Sequence, residues 1–163
     1  MTRTKIAVYP GTFDPVTYGH IDIIKRASRT FGKVLVAVAH NSDKRPLFSV
    51  KERVRMLKET TRQMPNVAVA DFDGLVVDYA RKKGANIMIR GIRMLSDFEF
   101  EFQMALTNRK LDDGIETIFL MPHESYSYIS SKLIKEAASL GARLDKFVPG
   151  LVERRLKKKL VRR

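Results

Sequence analysis

Short apolar runs alternate along this chain with longer stretches in which apolar residues recur every three or four positions. The short runs are rich in valine, isoleucine and alanine and occupy residues 6–9, 34–39, 67–70, 87–89 and 117–121. A continuous apolar run of this length is typical of a strand that is covered on both faces. Five such strands separated by helices predict an α/β fold, a single domain with a doubly wound, five-stranded parallel sheet and C-terminal helices.

Periodicity and capping residues predict where the helices lie. The patterns predict helices over residues 21–31, 49–64, 75–83 and 96–111, and from about residues 130 and 146 onward. Ser49 with Glu52 forms a capping box at the start of the second helix. Residues 98–102 alternate as a strand would, but Ser96 with Glu99 forms another capping box, which favours a helix. The apolar face of that helix, with Phe98, Phe102 and Leu106, could belong to the core or to an interface, and the core is the commoner outcome.

The connection between the first strand and the first helix, residues 11–20, carries the most specific chemical signal. It contains Gly11, Thr12, Gly19 and His20. Free N–H groups and the helix dipole at a helix N-terminus attract phosphate, and glycines permit close approach of the backbone. A histidine there can donate a hydrogen bond to phosphate oxygens as charge develops on them. The structural alternative is a helix-terminal histidine that is hydrogen-bonded to backbone.

Composition excludes several classes of site. The chain has 163 residues, enough for one core without disulfides, and no cysteine, which excludes disulfides, thiolate metal sites and a cysteine nucleophile. Its three histidines, at positions 20, 40 and 123, lack metal-ligand spacing, so no metal-binding side chains are expected. With no signal-peptide pattern and no apolar stretch of membrane-spanning length, the sequence predicts a cytoplasmic protein without a membrane partner.

Positive charge is concentrated near the C-terminus. Residues 143–163 contain nine basic and two acidic residues, hence +7 of the total formal charge of +13. No aromatic residue lies between positions 151 and 163, whereas Leu151, Val152, Leu156, Leu160 and Val161 recur at helical spacing. This pattern favours a packed basic helix over about residues 146–163 rather than a specific nucleic-acid site. An RNA-binding module that uses this basic tail remains the non-enzymatic alternative.

Phosphate-binding side chains follow four of the predicted strands. The segments are residues 11–20, 40–46, 90–93 and 122–131, and they contribute a lysine, arginines, a histidine, serines and a threonine. Carboxyl ends of parallel strands meet at one edge of the sheet, where ligands bind. We therefore expect these residues to form one site for several phosphates.

The string Tyr-Pro-Gly-Thr-Phe-Asp-Pro-x-Thr-x-Gly-His at residues 9–20 resembles the bacterial phosphopantetheine adenylyltransferases of the nucleotidylyltransferase superfamily. Residues 41–46, 89–93, 97–103 and 126–131 resemble further motifs of that family, and the resemblance extends from about Lys5 to Leu160. It implies a Rossmann-like nucleotidyltransferase fold. It also implies transfer of the adenylyl group of ATP, with Mg²⁺, to 4′-phosphopantetheine, which yields dephospho-coenzyme A and pyrophosphate. A homohexamer built as a dimer of trimers is implied as well.

The resemblance also implies roles for individual residues. His20 would stabilise the transition state, and the other catalytic residues would be Thr12, Lys44 and Arg93. Phosphopantetheine would contact Thr12, Lys44, Leu75, Val76 and Arg90. ATP would contact Thr12, Phe13, His20, Gly91, Ile92, Arg93, Glu101, Tyr126, Ser127, Tyr128, Ile129, Ser130, Ser131 and Lys132.

Two positions depart from the family pattern, and two enzyme families remain as alternatives. Lys132 stands where a serine or threonine is usual, and Tyr18 where an asparagine is usual. The Arg-Thr-x-Gly-Ile-Ser-Thr signature of cytidylyltransferases is missing. A nicotinamide mononucleotide adenylyltransferase shares the Gly-His turn, but the motifs at residues 89–93 and 97–103 favour the pantetheine enzyme.

Overall fold

A computed structural model describes residues 5–40 and 45–161 of the chain. The described strands are β1 (Ile6–Gly11), β2 (Lys33–Ala39), β3 (Val67–Phe72), β4 (Ile87–Gly91) and β5 (Glu116–Leu120). The helices are α1 (Tyr18–Thr30), α2 (Val50–Thr60), α3 (Val76–Lys82), α4 (Leu95–Leu111), α5 (Ser131–Ser139) and α6 (Gly150–Val161), with a 3₁₀ turn at Glu124–Tyr126. All strand pairs are parallel, in the order β3-β2-β1-β4-β5. The predicted five-stranded, doubly wound sheet is confirmed.

Apolar side chains of the central strand pack on both faces of the sheet. Ala7 and Tyr9 belong to a core shared with α1, α2, α5 and α6, whereas Val8 packs with Val77 and Ala80 of α3. This burial on both faces explains why the strand sequences are continuously apolar. The chain runs outward from β1 to β3 and then returns to β4, so the strand order reverses between β1 and β4. Such a reversal opens a crevice at the carboxyl ends of the strands.

Three helix starts differ from the predictions. The first helix begins at Tyr18 instead of residue 21, because Thr17 caps it and places His20 in its first turn. The fourth begins at Leu95 after Met94, without a side-chain cap, so the predicted Ser96–Glu99 capping box is wrong. The last begins at Gly150 rather than near residue 146, after a turn at residues 145–147. The predicted Ser49–Glu52 box is confirmed at the start of α2.

The basic last helix packs on the domain through an apolar stripe and ion pairs. Val152 and Leu156 of α6 are fully buried. On the outer side, Lys159 binds Glu52 at 2.9 Å and Arg155 binds Glu59 at 2.9 Å, both on α2. Carboxylates of the fold therefore neutralise part of the positive charge in this segment.

One apolar surface of α4 is left exposed by the residues that the structure describes. Phe98, Phe102 and Leu106 are 40%, 46% and 48% exposed, so the expectation that they lie in the core is wrong for the single chain. Phe100 on the same helix is exposed as well. No helix in the described ranges is both long and apolar enough to cross a membrane.

Candidate active site

A cavity of about 550 Å³ lies at the carboxyl edge of the sheet, where β1 and β4 separate. The turn after β1, the end of β4, and the starts of α4 and α5 form its walls. Its lining includes eleven of the predicted site residues: Thr12, Phe13, His20, Arg90, Gly91, Arg93, Glu101, Ile129, Ser130, Ser131 and Lys132. Segments separated by more than 100 residues in sequence thus meet at one site, as the strand-end pattern predicts.

His20 occupies the third position of α1 and takes part in the cap of that helix. Its Nδ1 atom lies 3.1 Å from the backbone nitrogen of Thr17, and its own backbone N–H donates to the Thr17 hydroxyl at 3.4 Å. Because a backbone N–H can only donate, Nδ1 accepts this hydrogen bond, and the Thr17 hydroxyl, 3.1 Å from the same atom, can donate to it as well. The proton of the neutral ring therefore resides on Nε2. The Nε2 atom has no hydrogen-bond partner among the described residues and is the donor that remains for a ligand in the cavity.

The surroundings of His20 keep its ring neutral. Burial, followed by the positive charges of Arg93 and Arg90, lowers the pKa of His20 to about 4. At neutral pH this side chain is accordingly a hydrogen-bond donor without charge. His20 can therefore bind phosphate and also be bonded to backbone, which was the structural alternative. The two roles are compatible because the backbone contact uses Nδ1 and a phosphate contact would use Nε2.

Phe13 shapes the turn that precedes His20. Its backbone has a φ of +51°, an unfavourable region for a residue other than glycine, and such strain is concentrated at functional sites. The buried Phe13 ring packs edge-on against His20 with centroids 5.0 Å apart, and against Tyr9 at 5.3 Å. A Cβ atom at Gly11 would lie 2.9 Å from the same ring. Packing of the Phe13 ring therefore requires a glycine at position 11, independently of any ligand.

Arg90 and Glu101 form a two-pronged ion pair in the wall of the cavity. Arg90 Nε and Nη2 each donate to a different carboxylate oxygen of Glu101 at 2.7 Å. Arg90 Nη1 also donates to the carbonyl oxygen of Pro10 at 2.9 Å, which ties β4 to β1. Burial disfavours the charged guanidinium, but the hydrogen bonds and charge of Glu101 outweigh it and raise the pKa of Arg90. The planar guanidinium is thus held in one orientation by both partners.

Arg93 connects the end of β4 with the segment that leads into α5. Its Nη1 donates to the carbonyl oxygen of Ile129 at 2.7 Å, and its Nε lies 3.2 Å from Asp97. On the opposite wall, the hydroxyl of Ser131 donates to the carbonyl oxygen of Pro15 at 2.8 Å. These contacts fix the first turn of α5 between β4 and the turn after β1.

Several predicted site residues lie elsewhere. Leu75, Val76, Ile92, Tyr126, Ser127 and Tyr128 do not line the cavity. Leu75 and Val76 lie at the start of α3, which follows β3, and Tyr126 packs against Tyr18 with ring centroids 5.9 Å apart. Lys44 lies outside the described residues.

Other residues line the cavity although sequence reasoning gave none of them an individual role, even where it placed their segment at this edge of the sheet. Lys135 on α5 donates to Asp14 at 2.7 Å, and Arg45, Pro46 and Asp97 also contribute to the walls. Lys135 follows Ser131 by four positions, so both lie on one face of α5. That spacing was visible in the sequence and could have identified this lysine.

The charge of the cavity suits an anionic ligand. Five cationic side chains line it, namely Arg45, Arg90, Arg93, Lys132 and Lys135. The carboxylates that line it are three, Asp14, Asp97 and Glu101. Each of these carboxylates already binds one of the cations. Positive charge therefore remains to bind phosphates. Within the described ranges, no three histidine or acidic side chains are grouped as they would be around a metal ion.

Comparisons with known proteins show which family and fold this chain shares. A sequence profile of the cytidylyltransferase-like family matches residues 8–137. The phosphopantetheine adenylyltransferase of Caldanaerobacter subterraneus subsp. tengcongensis is 57% identical over 155 residues, which are 95% of this chain and 97% of that protein. The enzyme of the same name from Desulforudis audaxviator is 56% identical and covers 95% of each chain. A crystal structure from Vibrio parahaemolyticus, described as a nicotinate-nucleotide adenylyltransferase, superimposes with a TM-score of 0.70 at 16% identity, covering 98% of this chain and 93% of the other. At that identity the match shows a common fold.

Proposed function

The chain belongs to the cytidylyltransferase-like family and, within it, to the phosphopantetheine adenylyltransferases of coenzyme A biosynthesis, and on this basis we propose how its cavity performs adenylyl transfer. The terminal phosphate of 4′-phosphopantetheine attacks the α-phosphorus of ATP. A new P–O bond forms, the bond from the α-phosphorus to the oxygen bridging to the β-phosphate breaks, and pyrophosphate leaves with dephospho-coenzyme A as the other product. The attacking phosphate needs no activating base, because it is largely a dianion at neutral pH.

His20 stabilises the transition state as a neutral donor. Its Nε2–H donates to a non-bridging oxygen of the α-phosphate as the phosphorus becomes five-coordinate. The observation that carries this proposal is the hydrogen bond from the Thr17 backbone N–H to Nδ1, which fixes both the proton on Nε2 and the orientation of the ring. Because the donor is oriented before the reaction, it need not reorganise as charge develops.

The remaining side chains hold the two substrates in line. Thr12, Arg90 and Lys44 bind the acceptor, with Lys44 assigned through the family motif. Arg93, Ser130 and Ser131 bind the phosphates of ATP. Lys132 in the first turn of α5 adds a positive charge where the family usually has a hydroxyl, and we assign it to the same phosphates. Catalysis then rests on alignment and on neutralisation of charge.

Mg²⁺ fits this cavity as an ion that ATP brings with it. When bound, it would neutralise charge on the phosphates and favour departure of pyrophosphate. The carboxylates that line the cavity are each engaged by a cation, Asp14 by Lys135, Asp97 by Arg93 and Glu101 by Arg90. Most ligands of the Mg²⁺ ion in the cavity would therefore be phosphate oxygens of ATP.

The family resemblance also supports a homohexamer, a dimer of trimers, in the cytoplasm. The exposed apolar face of α4, with Phe98, Phe102 and Leu106, is consistent with contact between subunits. Sedimentation equilibrium tests this directly. We expect the mass of six 18.7 kDa chains, and the mass of one chain at micromolar concentration would contradict it.

A single assay tests the choice of acceptor. The protein is incubated with ATP and Mg²⁺, together with either 4′-phosphopantetheine or nicotinamide mononucleotide, and pyrophosphate release is followed. We expect turnover with phosphopantetheine alone and dephospho-coenzyme A as its product. Preferential adenylylation of the mononucleotide would contradict the proposal.

A further inference from the structure

Arg53 is a buried arginine that the proposed reaction does not use directly. It is 2% exposed and is the largest fully buried side chain in the described part of the chain. Arg53 lies in the first turns of α2, and helical side chains point back toward the N-terminus of their helix. A cation in that position opposes the helix dipole and loses its hydration. So costly an arrangement needs compensating contacts.

Those contacts join three separate segments at the edge of the cavity. Arg53 Nη1 donates to the carbonyl oxygens of Thr12 at 2.7 Å and Ala39 at 3.1 Å, and Nε donates to that of Phe48 at 3.2 Å. Thr12 belongs to the turn after β1, Ala39 ends β2, and Phe48 precedes α2. One guanidinium thus holds the turn after β1 against both described ends of the connection between β2 and α2.

Asp14 completes this arrangement from the other side. Its buried carboxylate accepts from the backbone N–H groups of Leu47 at 2.8 Å and Phe48 at 2.9 Å, and from Lys135 Nζ at 2.7 Å. Phe48 is therefore bound through its carbonyl oxygen by Arg53 and through its N–H by Asp14. Arg45 and Pro46, immediately before this anchor, line the cavity.

We infer that Arg53 and Asp14 are positioning residues, which set the distance between Thr12 and the segment at residues 45–48 and thereby align the acceptor phosphate for attack. This inference rests on the proposed role of Thr12 at the acceptor. Arg53 makes no described hydrogen bond to Arg93, Ser130 or Ser131, the residues proposed to hold ATP. Loss of the donor atoms Nε and Nη1 of Arg53 should therefore impair alignment of the acceptor more than binding of ATP.

The main test is Arg53→Lys, which keeps the charge but replaces two donor atoms on a planar fork with one nitrogen. We expect kcat/KM for phosphopantetheine to fall about 100-fold, the order of loss that a misplacement near 1 Å produces. The KM for ATP should change by less than about threefold, which corresponds to about 0.6 kcal/mol. Met56→Ala is the matched control, because Met56 is a fully buried residue of the same helix that has no hydrogen bond to the turn. It should lower the melting temperature without this split between substrates.

Asp14→Asn provides a second variant if Arg53→Lys does not fold. It keeps the shape of the side chain but cannot accept both amides and the lysine, so the same selective loss at the acceptor is expected. Equal losses for both substrates in either variant, in proportion to lost stability as in Met56→Ala, would overturn the inference. Thr12→Ala separates the role of Thr12 at the acceptor from the positioning role of Arg53. If Thr12→Ala leaves kcat/KM for phosphopantetheine unchanged, the proposed role of Thr12 is wrong. If Thr12→Ala lowers it while Arg53→Lys does not, only the positioning role of Arg53 is wrong.

Discussion

The Nδ1 atom of His20 lies 3.1 Å from the backbone nitrogen of Thr17, so the helix cap itself determines which ring nitrogen carries the proton. In a capping box the third residue of the helix is commonly a glutamate or glutamine that reaches back to the cap residue. Here His20 takes that part. One side chain therefore completes the start of α1 and lines the cavity.

Removal of the His20 ring should impair turnover far more than folding. We expect His20→Ala to lower kcat roughly 100- to 1000-fold, the usual loss when one donor to developing charge is removed. His20→Asn should retain more activity, because its amide N–H₂ is also a neutral donor. Pyrophosphate release measures the rates, and circular dichroism checks the fold. Equal rates in wild type and His20→Ala would rule out the proposed role.

Stability should depend on pH through the low pKa of His20. The folded chain holds that pKa at about 4, below the ordinary 6.5, because burial and the nearby Arg93 and Arg90 disfavour the charged ring. Between these values the unfolded chain binds a proton that the folded chain excludes. The contribution of His20, roughly 3 kcal/mol, is therefore fully present above pH 6.5 and is lost as the pH falls toward 4.

Urea denaturation at pH 7 and pH 4.5 measures this effect, with His20→Asn as the control that cannot titrate. We expect the wild type to lose more unfolding free energy than the variant over this interval. The acid limb of the kcat/KM profile for phosphopantetheine should stay at the same pH in both proteins, since the phosphate of the free acceptor, with a pKa of about 6, determines it. An acid limb that shifts in His20→Asn would show that His20 titrates near neutral pH after all.

The pair formed by Arg90 and Glu101 should contribute to both stability and acceptor binding. Glu101→Gln keeps the shape but removes the charge and one of the two acceptors, which leaves a half-buried guanidinium incompletely paired. We expect a loss of about 1–3 kcal/mol in unfolding free energy and a higher KM for phosphopantetheine, because Arg90 is no longer fixed. Urea titration and initial rates measure the two effects.

Glu116→Gln is a control, since its ion pair with Arg109 is exposed. A Glu101→Gln protein as stable as this control, with an unchanged KM, would contradict the prediction.

Most of the fold was predictable because its patterns are local. Continuous apolar strands and the Ser49–Glu52 box require only neighbouring residues to be recognised. The start of α4 was mispredicted because the pattern of Ser96 and Glu99 also fits a helix that begins one residue earlier, at Leu95, and in which Ser96 is not the cap. The exposure of Phe98 could not be predicted either, since the helical periodicity of apolar residues does not tell whether their face is buried or exposed.

The cavity was predictable as a convergence of strand ends, but its internal contacts were not. The sequence motifs identify Arg90 and Glu101 without indicating that they bind each other, because the pair depends on how α4 packs on β4. Arg53 carries no motif for a cavity residue, and its contact with Thr12 joins positions that are distant in sequence. Such contacts become visible only once the elements are packed.

Gly91 is required by packing against α1, and a pair of substitutions can show this. A Cβ atom at Gly91 would lie 2.5 Å from Cδ1 of Ile23. Gly91→Ala should therefore cost about 1–3 kcal/mol of stability through overpacking, and Ile23→Val, which removes that methyl group, should restore part of it. Gly150→Ala, where the nearest atom is 3.5 Å away, is the control and should be neutral. Thermal denaturation measures the wild type, the two single variants, the double variant and the control. Purely additive effects of the Gly91 and Ile23 substitutions would argue against the clash.

The central claim is that the neutral imidazole of His20 donates from Nε2 to the α-phosphate. A crystal structure of the protein with a non-hydrolysable ATP analogue and Mg²⁺ tests it most directly, through the distance from Nε2 to the nearest α-phosphate oxygen. We expect about 3 Å, with Nδ1 still bound to the Thr17 backbone. A ring turned so that Nε2 faces away from the nucleotide, or an α-phosphate bound elsewhere in the cavity, would contradict the claim.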